Sequence, residues 1–175
     1  MKALLHSLQS IICMLGLFSC STIPKGVVAV HPFEKENYLG TWYEIARFDF
    51  KYERDLSNTT ATYSLLPNGK INVYNKGFNT KTLEWVEAIG TAKFVESDTI
   101  AKLKVSFFGP FYAGYNVIAL DSEYQYALVS GAEFKYLWIL SRTTSIPEEI
   151  KKSYLQIAEN FGFNTSELLW VEHTQ

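Results

Sequence analysis

The sequence predicts an all-β protein, an eight-stranded antiparallel up-and-down barrel with one C-terminal helix packed on its outside. Two observations carry this prediction. Short runs of β-branched and aromatic residues alternate with turn signals from Tyr38 to Arg142, and a single helical pattern follows them. Eight consecutive strands can close on themselves and leave no edge, although a two-sheet sandwich fits the same pattern and stays open as the alternative.

The first residues of the chain differ in composition from the rest. Lys2 is their only formal charge, and an interrupted apolar run extends from Leu8 to Phe18. Spanning a bilayer takes about 20 apolar residues, whereas the apolar region of a signal peptide is shorter and follows a basic start. Residues 1–19 are therefore predicted to be a lipoprotein signal peptide.

The end of this apolar run resembles a bacterial lipobox, Leu17-Phe18-Ser19-Cys20. The resemblance implies that Cys20 becomes a diacylglyceryl, palmitate-bearing N-terminus, and Ser21 after it points to the outer membrane. An ordinary signal peptide followed by an incidental cysteine is the alternative. Residues 20–36 contain two prolines and a glycine and are predicted to be the acylated cysteine and a tether, with the folded domain at 37–175.

Eight segments have the composition of strands, and each ends at a turn signal. The sharpest turn is Pro67-Asn68-Gly69, because Asn-Gly accepts the positive φ angles of a tight hairpin. The predicted strands are Gly40–Asp49, Thr59–Leu66, Lys70–Phe78, Glu84–Val95, Ala101–Phe107, Tyr112–Asp121, Tyr126–Gly131 and Tyr136–Ser141.

One helix is predicted after the last strand. Ser145-Ile146-Pro147-Glu148 matches a capping box, and Gly162 ends an apolar stripe formed by Ile150, Tyr154, Ile157 and Phe161. The strand before it is apolar on both faces, so we expect the helix on the Leu137 side and the lumen on the Trp138 side. Leu168–Val171 is expected to add a short final strand.

Composition argues against several classes of function. A formal net charge of −2 gives no reason to expect nucleic acid as a partner. Of the three histidines, His6 lies in the predicted signal peptide, and neither His31 nor His173 is expected in a pocket. We therefore expect no metal site, no cofactor and no histidine-based catalytic site. Cys13 leaves with the signal and Cys20 carries lipid, so no disulfide is expected.

Most carboxylates fall in predicted turns, where they are expected to be solvated. These are Asp49, Glu53, Asp55, Asp98, Asp121 and Glu123. Glu44 is the exception, because strand alternation places it on one face with Trp42, Ala46 and Phe48. An interior carboxylate needs a partner, for which Arg142 is a candidate. An outward Glu44 in a local bulge is the alternative.

Gly40-Thr41-Trp42-Tyr43 resembles the first motif of the lipocalin family, and Arg142 resembles its closing arginine. The usual middle motif, Thr-Asp-Tyr, is replaced by Asp121-Ser122-Glu123-Tyr124. Longer segments, such as Lys104–Tyr112, are similar to bacterial outer-membrane lipocalins, relatives of apolipoprotein D. The resemblance implies that Gly40, Trp42 and Arg142 are structural, with Arg142 packed across Trp42 at a closed barrel end. It also implies fatty acid or lysophospholipid ligands, an anchor through acylated Cys20, and a homodimer.

The predicted function is noncatalytic binding, storage or transport of amphiphilic lipids at the bacterial outer membrane, in support of envelope maintenance. The 12 Phe, 11 Tyr and 4 Trp are numerous enough to line a cavity, and the expected ligand contacts are Val105, Phe107, Tyr112, Asn116, Tyr136 and Trp138. Ordinary core packing is the alternative for each of them. A lipid-modifying enzyme and a structural lipoprotein with a filled barrel are the alternative functions.

Overall fold

The computed structural model describes residues 21–174, so the predicted signal peptide and the predicted lipidation at Cys20 lie outside the described residues. The strands there are β1 (Gly40–Phe48), β2 (Leu56–Leu65), β3 (Ile71–Asn79), β4 (Glu84–Phe94), β5 (Lys102–Ser106), β6 (Ala113–Leu120), β7 (Tyr126–Ser130), β8 (Leu137–Ser141) and β9 (Leu168–Trp170). The helices are α1 (Lys35–Tyr38) and α2 (Glu148–Phe161), with a 3-10 turn at Thr165–Glu167. Neither helix in this range has the length and apolar character needed to cross a bilayer.

Strands β1 to β8 form a closed antiparallel barrel in which each strand pairs with its neighbours along the chain. β1 closes the ring by pairing with β8 on one side and with β2 on the other, where Trp42 lies opposite Ala61. β9 pairs with the part of β1 that β2 leaves free, and Ala46 lies opposite Trp170. The predicted eight-stranded barrel and the short final strand are confirmed, and the sandwich alternative is wrong.

The two ends of the barrel differ in their connections. α1 and the turns after β2, β4 and β6 lie at one end, which we call the closed end. The connections after β1, β3, β5 and β7 lie at the opposite end, which we call the open end. The position of an inward-facing side chain along its own strand therefore shows which end it lies nearer. Trp42 stands near the closed end of β1.

A bulge in β1 reverses the direction of its side chains. The register against β8 shifts between Glu44 and Ala46, so Ile45 is the extra residue. Trp42 packs in the interior cluster, whereas Ala46 and Phe48 pack in the outer cluster with the helix. The expectation that these four residues share one face is wrong beyond Glu44, because one extra residue exchanges the two faces of a strand.

Helix α2 packs on the outer wall of the barrel. Tyr154 and Ala158 are buried there, together with Leu137 and Ile139 of β8. The Tyr154 hydroxyl also donates a hydrogen bond of 2.8 Å to the backbone carbonyl of Tyr126 at the start of β7. The predicted outside position of the helix is confirmed.

The N-terminus of α2 differs from its prediction. The helix begins directly after Pro147, and no side chain hydrogen bond caps it. The hydroxyls of Ser141 and Thr143 donate to the Ser145 carbonyl at 2.9 and 3.0 Å, which turns the chain before the helix. The predicted capping box is therefore wrong, whereas Gly162 ends the helix with φ 98° as the sequence indicates.

The segment before α1 packs along the barrel and is not a free tether. Val27 is buried in the outer cluster and Phe33 in the interior cluster. Between them, the Val30 N–H donates to the Val117 carbonyl at 2.9 Å and the Ala101 N–H donates to the Val30 carbonyl at 3.0 Å. Residues 20–36 are predicted to be the acylated cysteine and a tether, and from residue 21 onward this segment packs against the barrel instead of standing apart from it.

Candidate functional site

Trp42 and Arg142 plug the closed end of the barrel. The Trp42 indole is fully buried, and its Nε1 donates to the Tyr38 carbonyl at 2.8 Å. The Arg142 guanidinium lies over the indole, with Cζ 3.8 Å from the ring centroid. It donates four hydrogen bonds of 2.8–3.1 Å to backbone carbonyls at positions 37, 39, 41 and 124. Gly40 beside it has φ 94°, a left-handed backbone conformation that favours glycine.

The turn after β6 carries the departure from the usual middle motif. The Asp121 carboxylate accepts from the backbone N–H groups of Gln125 and Tyr126, so it holds the turn and is not merely a solvated charge. The Tyr124 hydroxyl accepts a hydrogen bond of 2.8 Å from the Glu34 N–H, which joins the turn to the residue directly before α1. Asp and Tyr thus both brace the closed end despite their altered spacing.

Three tyrosine hydroxyls meet inside the barrel. Those of Tyr38 and Tyr115 lie 2.7 Å apart, and the Tyr63 hydroxyl donates to that of Tyr115 at 2.8 Å. Burial raises the pKa of all three phenols, so they remain neutral hydrogen-bonding groups. The part of the lumen that these three rings line is therefore aromatic and uncharged.

An aromatic wall stands inside the open end. The rings of Tyr136 and Trp138 are parallel, with centroids 6.3 Å apart and planes 7° apart. Phe50 stands edge-on to both, at 5.7 and 5.6 Å. Such offset and edge contacts fix the rings in place, so they present a continuous apolar surface.

A buried charge cluster, formed by Glu44, Arg47 and Glu53, adjoins this wall. Arg47 donates from Nη1 to Glu44 Oε1 at 2.6 Å and from Nη2 to the Glu53 carbonyl at 2.7 Å. Thr59 also donates to Glu44 Oε1, at 3.1 Å, and Trp138 Nε1 donates to Glu53 Oε2 at 2.9 Å. Glu44 points inward, which decides between the two orientations that the sequence left open, and its partner is Arg47 and not Arg142.

Glu53 is the carboxyl group of the cluster that most readily takes a proton. Burial and then the neighbouring charge of Glu44 raise the pKa of Glu53 well above its ordinary value. Burial also raises the pKa of Glu44, but its ion pair and hydrogen bonds with Arg47 oppose that rise. The expectation that Glu53 is a solvated loop charge is wrong, because its loop folds inward over the open end.

Two buried polar atoms of the interior have no hydrogen-bond partner among residues 21–174. They are Nε of Arg47, which lies 4.0 Å from Glu53 Oε2, and Oδ1 of Asn75 on β3. Buried polar atoms are usually satisfied, so such a donor and acceptor are available to the polar group of a ligand. Within the same part of the chain, no group of three His, Cys, Asp or Glu side chains could hold a metal.

The predicted ligand contacts divide between the two faces of the barrel. Val105, Phe107 and Trp138 pack with the interior cluster, and Tyr136 stacks on Trp138 at the open end. Tyr112 does not face the lumen, because its ring is 42% exposed and lies against outward lysines at positions 93 and 104. The assignment of Tyr112 to the lining is therefore corrected.

Asn116 is also placed outside the lumen. It is fully buried, but its Nδ2 donates to the carbonyls of Thr22, Ser130 and Gly131 at 2.7, 3.2 and 3.3 Å. The N-terminal segment covers it, and the inward residues of β6 are Tyr115 and Val117, which pack in the interior cluster. Asn116 holds that segment on the wall, so its assignment as a ligand contact is corrected.

A surface groove of about 410 Å³ contains a residue that we did not expect in a pocket. His173 lines it together with Tyr43, Asn58 and Trp85, and its Nε2 lies 2.8 Å from the Glu44 carbonyl. The groove lies outside the barrel wall. The sequence carries no local sign of it, because its lining comes from β1, β2, β4 and the C-terminal segment.

The family comparison agrees with the geometry. Residues 33–173 match a family described as a lipocalin-like domain. The chain is 54% identical over 154 residues to outer membrane lipoprotein Blc of Escherichia coli K12, which covers 88% of this chain and 87% of the relative. Identity to outer membrane lipoprotein Blc of Vibrio cholerae is 45% over 163 residues, 93% of this chain and 95% of the relative. Rattus norvegicus apolipoprotein D is more distant, at 38% over 126 residues, or 67% and 65%.

Solved structures show the same fold at low identity. Insecticyanin of Manduca sexta superposes with a TM-score of 0.70 at 19% identity, covering 89% of this chain and 88% of that one. Lobster apocrustacyanin A1 gives a TM-score of 0.66 at 16% identity, with 87% and 94% covered. The similarity to outer membrane lipoproteins confirms the predicted outer-membrane location. By family match, sequence identity and architecture, the chain belongs to the lipocalin family.

Proposed function

We propose that this lipocalin binds and carries amphiphilic lipids with one long acyl chain, either lysophospholipids or long-chain fatty acids, at the outer membrane. The observation that carries the proposal is the pairing of an apolar aromatic wall with a charge cluster at one end of the barrel. An amphiphile needs both kinds of surface, one for its tail and one for its head.

The acyl chain is assigned to the apolar interior that begins beside Val105, Phe107 and Trp138 at the open end and continues toward Trp42. Their side chains are apolar, so each buried methylene of a ligand contributes about 0.8 kcal/mol. A chain of many methylenes therefore supplies enough free energy to displace water from the lumen. The three tyrosine hydroxyls already bond to one another and make no demand on the ligand.

The polar head is assigned to the open end. Arg47 Nε offers an unpaired donor near that end, which suits a carboxylate or phosphate oxygen, and Asn75 Oδ1, deeper in the barrel in the middle of β3, offers an acceptor, which suits a hydroxyl. An anion near Arg47 competes with Glu53, whose raised pKa lets it become neutral instead of repelling the ligand. Lysophospholipids and fatty acids both satisfy this pattern.

Acylation of Cys20 is the second part of the proposal. It follows the resemblance of Leu17–Cys20 to a lipobox and the relatives named as outer membrane lipoproteins. Each buried methylene of the attached chains adds about 0.8 kcal/mol, so several chains anchor a protein stably. The homodimer implied by the resemblance is likewise a proposal.

The test is a fluorescence titration of the full-length, delipidated lipoprotein with lysophosphatidylethanolamine and with oleate. We expect saturable quenching or a spectral shift, which Trp138→Phe removes while binding persists in a competition assay. Trp170→Phe is the matched control and is expected to keep the signal, because Trp170 lies on the outer β9 strand beneath Lys151. Absence of any saturable response refutes lipid binding. Native mass spectrometry of the same sample measures bound lipid and the number of chains.

The proposal assigns no catalysis. The Glu44 and Glu53 pair is the arrangement that a lipid-modifying enzyme would use, since paired carboxyl groups with different pKa values support acid–base chemistry. Sustained turnover of a lipid ester or epoxide that Glu44→Gln abolishes would overturn the carrier assignment. A filled interior with no lipid released from native extracts would instead favour a purely structural lipoprotein.

A further inference from the structure

The N-terminal segment runs along the outer wall from the closed end to the open end. Its residue Phe33 lies at the closed end, where its N–H donates to the Thr99 carbonyl in the turn after β4. Its other end reaches Gly114, the second residue of β6, where the Thr22 carbonyl lies so near that a Cβ would come within 2.0 Å of it. Asn116 fixes that carbonyl by a hydrogen bond of 2.7 Å.

This path fixes where the anchor leaves the barrel. Cys20 is two residues before Thr22, and two extended residues span at most about 7 Å. The β6 start and the β7 end, which flank Thr22, both belong to the open end. The chain that precedes Thr22 therefore starts from the open end and not from the plug.

The four most exposed apolar side chains of residues 21–174 lie at the same end, whereas Val28 and Ile89, each 67% exposed, lie on the wall between the two ends. Every connection at the open end carries at least one exposed apolar side chain, and we call this set the open-end rim: Tyr52, Leu83, Phe108, Phe111 and Phe134. Phe111 is 78% exposed and Phe108, Tyr52 and Leu83 are each 72% exposed. At the closed end, the exposed large apolar side chains of residues 21–174 are aliphatic and less exposed, Leu65 at 48% and Val95 at 36%.

Lysines accompany the aromatic side chains around this end. Lys51 lies over the Tyr52 ring at 5.6 Å and Lys135 over the Tyr136 ring at 5.2 Å. Aromatic rings and lysines with long aliphatic stems are typical of the zone where a bilayer meets water, because each has an apolar body and a polar tip. Lysine also suits the phosphates of lipid head groups.

We propose that the open end of the barrel lies on the bilayer surface, with the open-end rim inserted among the lipid head groups. The proposal rests on the proposed acylation of Cys20 and adds an orientation to the proposed function. Amphipathic surfaces of this kind sink about 5–10 Å into the interface. The lumen then opens onto lipid, so a lysophospholipid enters without crossing water.

The experiment uses the full-length lipoprotein in vesicles of phosphatidylethanolamine and phosphatidylglycerol. Phe111→Cys places a nitrobenzoxadiazole probe on the open-end rim, and Asn68→Cys places the same probe in the closed-end turn after β2. Quenching by nitroxide-labelled acyl chains and by aqueous dithionite is measured for both. Tyr52→Cys is a second rim position, and the intact mass of each sample reports acylation of Cys20.

We expect the probes at positions 111 and 52 to be quenched by acyl-chain nitroxide and shielded from dithionite, with the reverse at position 68. Quenching at position 68, equal quenching at both ends, or an unacylated Cys20 each overturns the proposal. If the probe at position 111 is shielded from dithionite even without vesicles, a second copy of the chain covers that position, and the proposal is overturned. A failed ligand titration with this orientation intact refutes only the proposed function.

Discussion

Arg142 is expected to be the largest single contributor to the stability of the closed end. Arg142→Met keeps the aliphatic stem and removes the guanidinium. Two of its four acceptors, the carbonyls of Leu39 and Tyr124, are partly buried, and two, those of Asn37 and Thr41, are exposed. Exposed carbonyls rebind water when the donor is lost, whereas buried ones stay unsatisfied.

The expected loss is about 3 kcal/mol of unfolding free energy, composed of about 1 kcal/mol for each buried bond and the remainder from the contact with Trp42. For a domain of this size that corresponds to a fall in Tm of about 6–12 °C. Urea and thermal unfolding of the full-length lipoprotein in detergent micelles, followed by near-UV circular dichroism, measure it. Arg142→Lys is expected to recover less than half, because one ammonium reaches fewer carbonyls.

Lys152→Met is the matched control, because it also replaces a cation with methionine, but at an exposed position on the solvent side of α2. It is expected to change stability by no more than about 0.5 kcal/mol. If Arg142→Met costs as little as this control, the reasoning about the plug is wrong, and the cation–indole contact at 3.8 Å contributes nothing that water does not replace.

Three further predictions concern the cluster, the N-terminal segment and the helix end. The raised pKa of Glu53 means that the folded protein keeps a proton that the unfolded chain releases above about pH 4.3, so stability falls as the pH rises from there to the raised pKa. Glu53→Gln is expected to flatten this slope in urea unfolding. Asn116→Ala leaves three carbonyls without their donor, costs about 2 kcal/mol and speeds amide exchange in residues 22–30. Gly162→Ala, at φ 98°, costs about 1 kcal/mol in thermal unfolding.

Each of these predictions has a control that removes a comparable group elsewhere. Glu84→Gln changes an exposed carboxylate of β4 and should leave the pH slope intact. Gln156→Ala removes an exposed amide of α2 and should not affect exchange near Thr22. Gly109→Ala should be neutral, because no atom lies within 4 Å of the added Cβ. Variants that behave like their controls contradict the stated roles.

The sequence predicted the order and bounds of the strands well because turns are local. Pro67-Asn68-Gly69 has the chemistry of a tight turn whatever surrounds it, and each strand between turns shows its own composition. The packing of Arg142 on Trp42 at the closed end could be predicted equally well, since the two residues form a motif that is recognisable without coordinates. The bulge at Ile45 could not be predicted, because one extra residue in a strand does not change its composition.

The side chains that face the interior could be predicted only in part. Which face of a strand is covered depends on segments that are distant in the sequence. Asn116 resembles a polar handle in an apolar strand, and only the N-terminal segment, from Thr22 onward, shows that the covered face is the outer one. Glu53 resembles a solvated turn residue, and its partners Arg47 and Trp138 are brought to it by closure of the barrel. Long-range contacts of this kind have no local signature.

The packed N-terminal segment has a consequence for the distance over which the protein acts. A loose tether would let the barrel move away from its attachment point, but here the chain is held on the wall up to Thr22, with the Asn116 hydrogen bond at 2.7 Å. With the proposed lipid anchor on Cys20, the barrel is thus confined to the surface of the membrane that holds that anchor. The proposed lipid carriage then acts within that membrane, and a separate protein would have to bring lipid to or from another membrane.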